Sequence, residues 1–513
     1  MPLPGPVLPR HHQPVLGARL RLLTHMTWPF FRLCTACTLA AGLAFPQGAP
    51  LPERIAGRLR TNDLKAEVSF LASDALEGRG TPSTGLQLAA EYIAAEFRRA
   101  GLEPAGDDGY FQTGTFIQAT PAVEGLSFTF ASAPVSKGSI GIQEAAAADV
   151  KDAQALKLSL DDVSSVEALT VEQVRGKVLM VDAGQPGPSS YQALRRLQSV
   201  VAGLQPALVV LVRRPGQASG RATRIPLRDA TAPPPEIPVI SVSDPAIFDA
   251  VTAAPPGPMK ARVSAHIPPP RIETIKLRNV TGVIRGSDPT LKDTYLVITA
   301  HYDHLGISPN ADGDRIFNGA NDDASGTASL IEIAGALSAL EEKPMRTIVF
   351  MAVFGEEVGS LGARWYTSHP AFPLAKTIAD INLEQLGRTD DNEGPKPLQF
   401  NLTGFDYTDL APVFVEAGAE TGIRVLKHEK NSDAFFRSSD NAAFADAGIP
   451  STTLSVSYLF PDYHRPGDKW PKLDYDNMAK VDVAVALGIW NLANNPQAPR
   501  WNRDNPKAAR YLR

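Results

Sequence analysis

Short apolar runs alternate with a helical stripe after residue 270. The runs 293–300, 346–354, 377–383 and 449–456 are continuously apolar or β-branched, as is typical of strands buried on both faces. Between the first two runs, an apolar stripe recurs at helical spacing: Leu330, Ile333, Ala334, Leu337 and Leu340. We therefore predict an α/β fold with a mixed, mainly parallel central sheet flanked by helices.

The chain before residue 270 divides into two regions. Residues 62–104 have a helical pattern, with apolar positions at Leu86, Leu88, Ala89, Ile93, Phe97 and Leu102, and a strand is expected at 110–119. From 122 to 268, β-rich runs at 176–184, 207–214 and 237–243 are separated by connections rich in Pro, Gly and Ala. We predict a main domain of residues 52–121 and 269–495, an inserted small β-rich α/β domain at 122–268, and a tail at 496–513.

The first 48 residues differ from the rest. Basic residues precede an apolar run, 33–45, that closes on small residues, which indicates a secretory signal cleaved near Ala44. Met26 is an alternative start, and a disordered leader is the alternative interpretation. Cys34 and Cys37 fall inside this run without a second pair, so we interpret them as signal-peptide residues.

Composition excludes some classes of function. The chain has 513 residues, 43% hydrophobic and 20% charged, and a formal charge of −5 that argues against a nucleic-acid partner. No later stretch approaches the roughly 20 apolar residues of a membrane span. We expect an exported protein, periplasmic or secreted, with no stable membrane span after signal removal; its oligomeric state is left open.

Metal-competent side chains follow the predicted strands. His301 and Asp303 follow the first, Glu356 and Glu357 the second and Glu384 the third, while His464 comes after the fourth. Open α/β sheets bind ligands beyond the carboxyl ends of their strands. Each residue alone has an ordinary explanation: a structural histidine, helix caps at Asp322 and Asp323, or a solvated charge pair. Their joint placement favours one site.

Two-metal hydrolysis requires several nitrogen and oxygen ligands and one bridging carboxylate. It also requires a carboxylate outside the ligand set to receive a proton, and adjacent glutamates meet both needs because neighbouring side chains point in different directions. The competing motifs H-E-x-x-H, G-x-S-x-G and the P-loop are absent from the sequence.

Five motifs in order resemble the co-catalytic zinc aminopeptidases related to glutamate carboxypeptidase: HYDHLG (301–306), FNGANDDASG (317–326), FGEEVGSLG (354–362), INLEQLGR (381–388) and YHRPGD (463–468). ASDALEGRGTPSTG in the early segment also resembles that family. The inserted region resembles a protease-associated domain more weakly. The resemblance implies a zinc-peptidase fold, two Zn²⁺ per chain and peptide substrates.

The resemblance also implies roles for individual residues. His301, Asp322 and Glu384 would bind the first zinc, and Asp322, Glu357 and His464 the second, with Asp322 bridging and Asp323 as the alternative bridge. Glu356 would be the general base for a water that bridges the ions. Asp303 would accept the other ring N–H of His301. Many relatives have Asp where this chain has Glu384, which raises the question of whether the first zinc is held more weakly.

The leading function is therefore that of an aminopeptidase. Carboxypeptidase or N-acyl amide hydrolase activity on the same centre is the alternative, for which Arg437 is the local candidate for binding a substrate carboxylate. Single-zinc aminoacyl cyclisation, and an inactive zinc-bound binding protein, are further alternatives. Phe435, Phe436 and Tyr458 are interpreted either as pocket walls or as core. Cobalt or manganese could replace zinc.

Overall fold

A computed structural model describes residues 48–160, 163–182, 188–215, 227–308 and 313–512. The predicted signal segment, with Met26, Cys34 and Cys37, lies outside the described residues. Within the described ranges, no helix has the length and apolar character needed to cross a membrane.

The first part of the main domain is largely helical. The pattern predicted for 62–104 divides into two helices, and Ser83 begins the second by accepting a hydrogen bond from the backbone N–H of Leu86. Leu88, one of the apolar positions of the predicted helical pattern, is 49% exposed, because it lies about 200° around the helix from the buried Leu86. The elements are α1 Leu51–Ala56, α2 Thr61–Leu71, α3 Thr84–Arg99, β1 Glu103–Pro104 and β2 Phe111–Thr120.

Residues 127–267 form a second sheet with its own apolar clusters. Its elements are β3 Ser127–Phe130, β4 Ala133–Pro134, β5 Ile140–Glu144, β6 Ala148–Ser159, α4 Ser164–Glu167, α5 Val171–Val174, β7 Val178–Asp182, α6 Pro188–Leu204, β8 Leu208–Val212, β10 Val239–Val242, α7 Pro245–Ala253 and β11 Gly257–Ile267. The strand order is β4-β3-β11-β6-β7-β8-β10-β5. The three strands predicted here are confirmed as β7, β8 and β10. One further strand of this region, β9 Leu227–Asp229, instead pairs with β2. The predicted domain boundaries stay a prediction.

The last part of the chain completes the main sheet and adds two separate two-stranded sheets, Gly306–Ile307 with Ile316–Phe317 and Asp390–Asp391 with Gly394–Pro395. Its strands are β12 Arg271–Ile284, β13 Tyr295–His301, β14 Gly306–Ile307, β15 Ile316–Phe317, β16 Thr347–Val353, β17 Thr377–Leu383, β18 Asp390–Asp391, β19 Gly394–Pro395, β20 Gln399–Leu402, β21 Arg424–Leu426 and β22 Ser451–Ser455. Its helices are α8 Ser325–Ser338, α9 Leu361–Ser368, α10 Leu410–Thr421, α11 Asn431–Ala434, α12 Asn441–Asp446 and α13 Tyr475–Asn494. The predicted runs correspond to β13, β16, β17 and β22.

The main sheet has the order β21-β20-β22-β17-β13-β16-β12-β2-β9, and β1 also pairs with β12. Its centre, β22-β17-β13-β16, is parallel, whereas β12, β2 and β9 are antiparallel. The prediction of a mixed α/β sheet flanked by helices is confirmed. Because the central strands run in one direction, their carboxyl ends meet at one edge.

Helix α8 is buried on nearly every side, from Ser325 to Ala334. It contacts β13, β16 and β17 on the sheet and also α2, α3 and α13. The predicted apolar stripe is buried, and Ser325, Thr327 and Ser329 in the first turns of α8 are buried as well. Such a helix holds the preceding segment, Ala320–Ala324, rigidly at the carboxyl edge of the sheet.

Candidate metal centre

The central strands place the predicted residues at the carboxyl edge of the main sheet. His301 ends β13 and pairs in register with Val353, the last residue of β16. The chain then turns at Gly355, whose φ of +69° favours glycine, and Glu356 and Glu357 follow. Glu384 directly follows β17, and His464 lies in the loop after β22. Parallel pairing therefore brings together residues more than a hundred positions apart in the chain.

The first cluster consists of His301, Asp322 and Glu384, whose candidate ligand atoms lie within 4.8 Å of one another. The Nε2 atom of His301 is 3.3 Å from Oδ1 of Asp322. His301 and Asp322 are buried, so water cannot substitute freely for a ligand at this position. These are the three residues predicted for the first zinc.

The second cluster shares Asp322 with the first. Nε2 of His464 is 3.1 Å from Oδ2 of Asp322 and 3.1 Å from Oε1 of Glu357. His304, which sequence reasoning did not assign, is also here: its Nδ1 lies 2.9 Å from the same Glu357 oxygen. Asp322 thus presents one carboxylate oxygen to each cluster, as a bridging ligand would.

Asp323, the alternative bridge, is in neither cluster. Its Oδ1 accepts hydrogen bonds from the backbone N–H groups of Gly326 and Gln385, at 3.0 and 3.1 Å. The carboxylate therefore joins the start of α8 to the end of β17. Asp323 has the capping role that was the ordinary explanation for both aspartates.

Asp468 and Asn321 hold the backbone around Asp322. The Asp468 carboxylate accepts hydrogen bonds from the backbone N–H groups of Asn321 and Asp322. In turn, the side-chain oxygen of Asn321 accepts from the backbone N–H groups of Gly387 and Arg388. The loop after β17 and the loop containing His464 are thereby tied to the bridging carboxylate.

Asp303 differs from its predicted role in detail. Nδ1 of His301 is 3.2 Å from the backbone oxygen of Asp303 and 3.6 Å from its carboxylate, so the carbonyl is the closer acceptor. The carboxylate instead accepts from the backbone N–H of Glu356 at 3.0 Å and from the Thr81 hydroxyl at 3.1 Å. Asp303 therefore links the His301 loop to the backbone of the predicted general base.

The electrostatics of the cluster indicate a place for cations. Burial would raise the pKa of Glu357, but the adjacent imidazoles of His304 and His464 lower it to about 2. Burial likewise opposes protonation of His464, yet the adjacent carboxylates of Asp322 and Glu357 raise its pKa to about 10. Glu356 is different: burial, reinforced by repulsion from Glu357, raises its pKa well above the ordinary value.

Buried polar atoms without hydrogen bonds test whether these residues suit a metal. Nε2 of His301, both ring nitrogens of His304 and Oδ2 of Asp322 have no hydrogen-bond partner among the described residues. Orphaned buried atoms of this kind are costly and rare in proteins. Imidazole nitrogens and carboxylate oxygens are the donors that zinc accepts. The residues present therefore fit two adjacent zinc ions.

Arg79 is a supporting residue that sequence reasoning missed. It is fully buried and donates to the backbone carbonyls of Leu71, Tyr302, Asn318 and Gly319. Three of these carbonyls belong to the segment after β13 and to the segment before Asp322, so one guanidinium joins both segments. The only signal was its position in the early motif ASDALEGRG, which gives no indication of these distant partners.

The remaining predicted residues take separate places. Arg437 pairs with Asp446 at 2.6 Å and donates to the Tyr511 hydroxyl, so its charge is already compensated. Phe435 and Tyr458 stack with centroids 5.3 Å apart and line a small cavity beside Glu384, as pocket walls would. Phe436 is 1% exposed and belongs to the core.

Residues 279–488 match the model of peptidase family M28, so the resemblance to the co-catalytic zinc aminopeptidase family is confirmed. This segment contains every residue predicted for the centre.

Known proteins agree with this assignment. A probable zinc metalloprotease of Leptosphaeria maculans is 26% identical over 275 residues, covering 46% of this chain and 61% of the relative. Aminopeptidase YwaD of Bacillus subtilis is 25% identical over 238 residues, covering 45% of this chain and 48% of that relative. The chain thus spans about half to three fifths of the length of these curated relatives.

Solved structures share the fold. An aminopeptidase from Aneurinibacillus sp. strain AM-1 superposes with a TM-score of 0.57 at 17% identity, covering 88% of this chain and 97% of that one. BSAP, a zinc aminopeptidase from Bacillus subtilis, superposes with a TM-score of 0.51 at 17% identity, covering 88% of this chain and 98% of that one. These likenesses establish the fold.

Proposed function

We propose that the chain is a zinc-dependent exopeptidase that removes N-terminal residues from peptides. The proposal rests on the different positions of two carboxylates at the cluster. Asp322 belongs to both ligand groups, whereas the neighbouring Glu356 belongs to neither. A bridging carboxylate beside a free carboxylate is what two-metal hydrolysis of an amide requires.

The residues would act as follows. His301, Asp322 and Glu384 hold one zinc, and Asp322, Glu357 and His464 hold the other. When bound, the pair would acidify a water molecule and polarise the scissile carbonyl. Glu356 accepts the proton of that water and passes it to the leaving amine. Burial and repulsion from Glu357 raise the pKa of this carboxyl, which is the direction that favours its taking up a proton.

The cavity beside Glu384 favours an amino end over a carboxyl end of the substrate. Its lining consists of Glu384, Gln385, Thr403, Phe435, Ser438, Ser439, Thr453, Ser455, Tyr458 and Tyr463. No cationic side chain is among these described residues, so a substrate carboxylate would find no counter-charge there. An ammonium group would find Glu384 and several hydroxyl acceptors. Arg437, the candidate for a carboxypeptidase, is already paired with Asp446.

Aminoacyl-nitroanilides with free and acetylated amino groups test the proposal. The chelated protein should regain activity as zinc is added, and should cleave the free substrates at least about tenfold faster than the acetylated ones. A preference for acetylated substrates would favour an N-acyl amide hydrolase. Hydrolysis of acylated dipeptides from the carboxyl end would favour a carboxypeptidase. Two bound zinc ions without cleavage of any substrate would favour the binding protein.

Export of the protein is a separate proposal that rests on the N-terminal pattern alone. We expect the mature chain to begin shortly after Ala44, since small residues at the end of an apolar run suit a signal peptidase. N-terminal sequencing of the protein from the medium or periplasm measures this. Recovery of the intact N-terminus in the cytoplasmic fraction alone would contradict it.

A further inference from the structure

His304 is a buried imidazole that the mechanism above does not use. Its side chain has no solvent exposure, and its backbone N–H donates to the carbonyl of Arg79 at 3.3 Å. Neither ring nitrogen makes a hydrogen bond of acceptable geometry within the described residues. A buried imidazole whose ring nitrogens make no hydrogen bond is costly, so the ring is expected to have a ligand.

The ring points at the second cluster. Nδ1 lies 2.9 Å from Oε1 of Glu357 and 3.9 Å from Oδ2 of Asp322. The candidate ligand atoms of these three residues all lie within 4.8 Å of one another. Two donors that are each about 2.1 Å from one zinc ion lie about 3–4 Å apart for common coordination angles. The observed spacings fit a single shared ion.

His464 approaches the same two carboxylate oxygens from the solvent side. Its side chain is 29% exposed, whereas that of His304 is fully buried, and the two rings meet edge to face at 5.6 Å. Both imidazoles therefore face the same pair of oxygens, one from the interior and one from the surface. The arrangement leaves room for both rings at one ion.

Gly319 makes the position of His304 possible. A Cβ atom at Gly319 would lie 2.5 Å from Cγ of His304, and the φ of Gly319 is +60°. The glycine therefore lets the imidazole pack directly against the backbone that leads to Asp322. The close contact also prevents the ring from moving away from the cluster.

We propose that His304 is a fourth protein ligand of the second cation, together with Asp322, Glu357 and His464. This inference rests on the proposed two-metal centre and extends it. The second cation then has two imidazoles and two carboxylates, and the first has one imidazole and two carboxylates. Because imidazole suits zinc and carboxylates suit manganese or magnesium, the second position is the more zinc-selective and fills first.

NMR of the full chain, with cadmium-113 bound and histidine labelled with nitrogen-15, counts the histidine ligands directly. Each coordinated imidazole gives one nitrogen–cadmium coupling, so we expect three, from His301, His304 and His464. His304→Gln should leave two couplings. Loss of a residue that only supports a metal ligand costs about 10–100-fold in affinity. The affinity of this variant for the second cadmium ion should fall by more than that. The first ion should bind as before.

The outcomes separate this inference from the proposed function. Two bound ions with couplings only to His301 and His464 would overturn the role of His304 and leave the metal centre intact. The same holds if His304→Gln keeps wild-type affinity for both ions, because His304 would then be only an ion-pair partner of Glu357. Failure to retain any cadmium would refute the centre itself. His266→Gln is the matched control, since His266 pairs with Asp149 in the second sheet.

Discussion

Replacing Glu356 by glutamine tests the centre at its most informative residue. The change keeps the size and shape of the side chain but removes its capacity to accept a proton. The backbone N–H of residue 356 still donates to Asp303, so the strand end should keep its position. Positioned general bases contribute about 10²–10⁴-fold to rate, which is about 3–5 kcal/mol of barrier. We expect kcat to fall by that factor.

Binding should change little in this variant. Glu356 is outside both ligand groups, so the variant should retain two zinc ions and a KM within about threefold of wild type. The assay is hydrolysis of leucyl-nitroanilide, with zinc measured by plasma mass spectrometry on the same sample. Glu357→Gln is the matched control, because it should lose the second ion as well as activity.

A Glu356→Gln rate within tenfold of wild type, with both ions bound, would refute the proton-transfer role. Loss of an ion from that variant would instead show that Glu356 is a ligand. In either case the neighbouring Glu357 would become the candidate for the base, and the mechanism would have to be rebuilt around it.

Three further predictions follow from the buried groups. Asp322→Ala should reduce bound zinc from two ions to one or none, because its carboxylate serves both clusters; two tightly held ions would contradict this. Arg79→Met removes a donor from four buried carbonyls, of which that of Gly319 keeps a second donor in the backbone N–H of Ala324. At about 1–3 kcal/mol for each of the other three, urea unfolding should show a loss of stability above about 3 kcal/mol, against less than about 0.5 for the exposed Arg503→Met. Burial raises the pKa of Asp482 to about 8, so the folded state binds a proton that the unfolded state releases, and stability should decline from about pH 4 to about pH 8. Asp482→Asn should remove this decline and add up to about 4 kcal/mol at pH 7; an unchanged slope of stability with pH would contradict it.

Much of the central sheet could be predicted because its strands are buried on both faces. β13, β16 and β17 are apolar throughout, and such runs are visible in a sequence. The long strands β6, β11 and β12 were missed, since exposed polar positions interrupt their apolar residues. Edge and antiparallel strands that are partly open to solvent have a weaker pattern.

The residues of the centre were predictable for a related reason. Parallel strands end at a common edge, so polar side chains that follow successive strands must lie near one another. His304 and Arg79 were within recognised motifs, yet their importance could not be inferred. The partners of each are set by loops far away in the chain, and spacing within a motif does not reveal them.

The amino-acid sequence by itself determined the fold class, the resemblance to a peptidase family and the edge at which the candidate centre is built. Only the tertiary structure decided which role each of the neighbouring carboxylates within a motif takes. Asp322 faces both clusters while Asp323 turns to the backbone of Gly326 and Gln385, and the Asp303 carboxylate supports Glu356 rather than His301. The physical reason is that adjacent carboxylates are chemically alike. Their roles are assigned by the hydrogen-bond donors that the folded chain brings to each one.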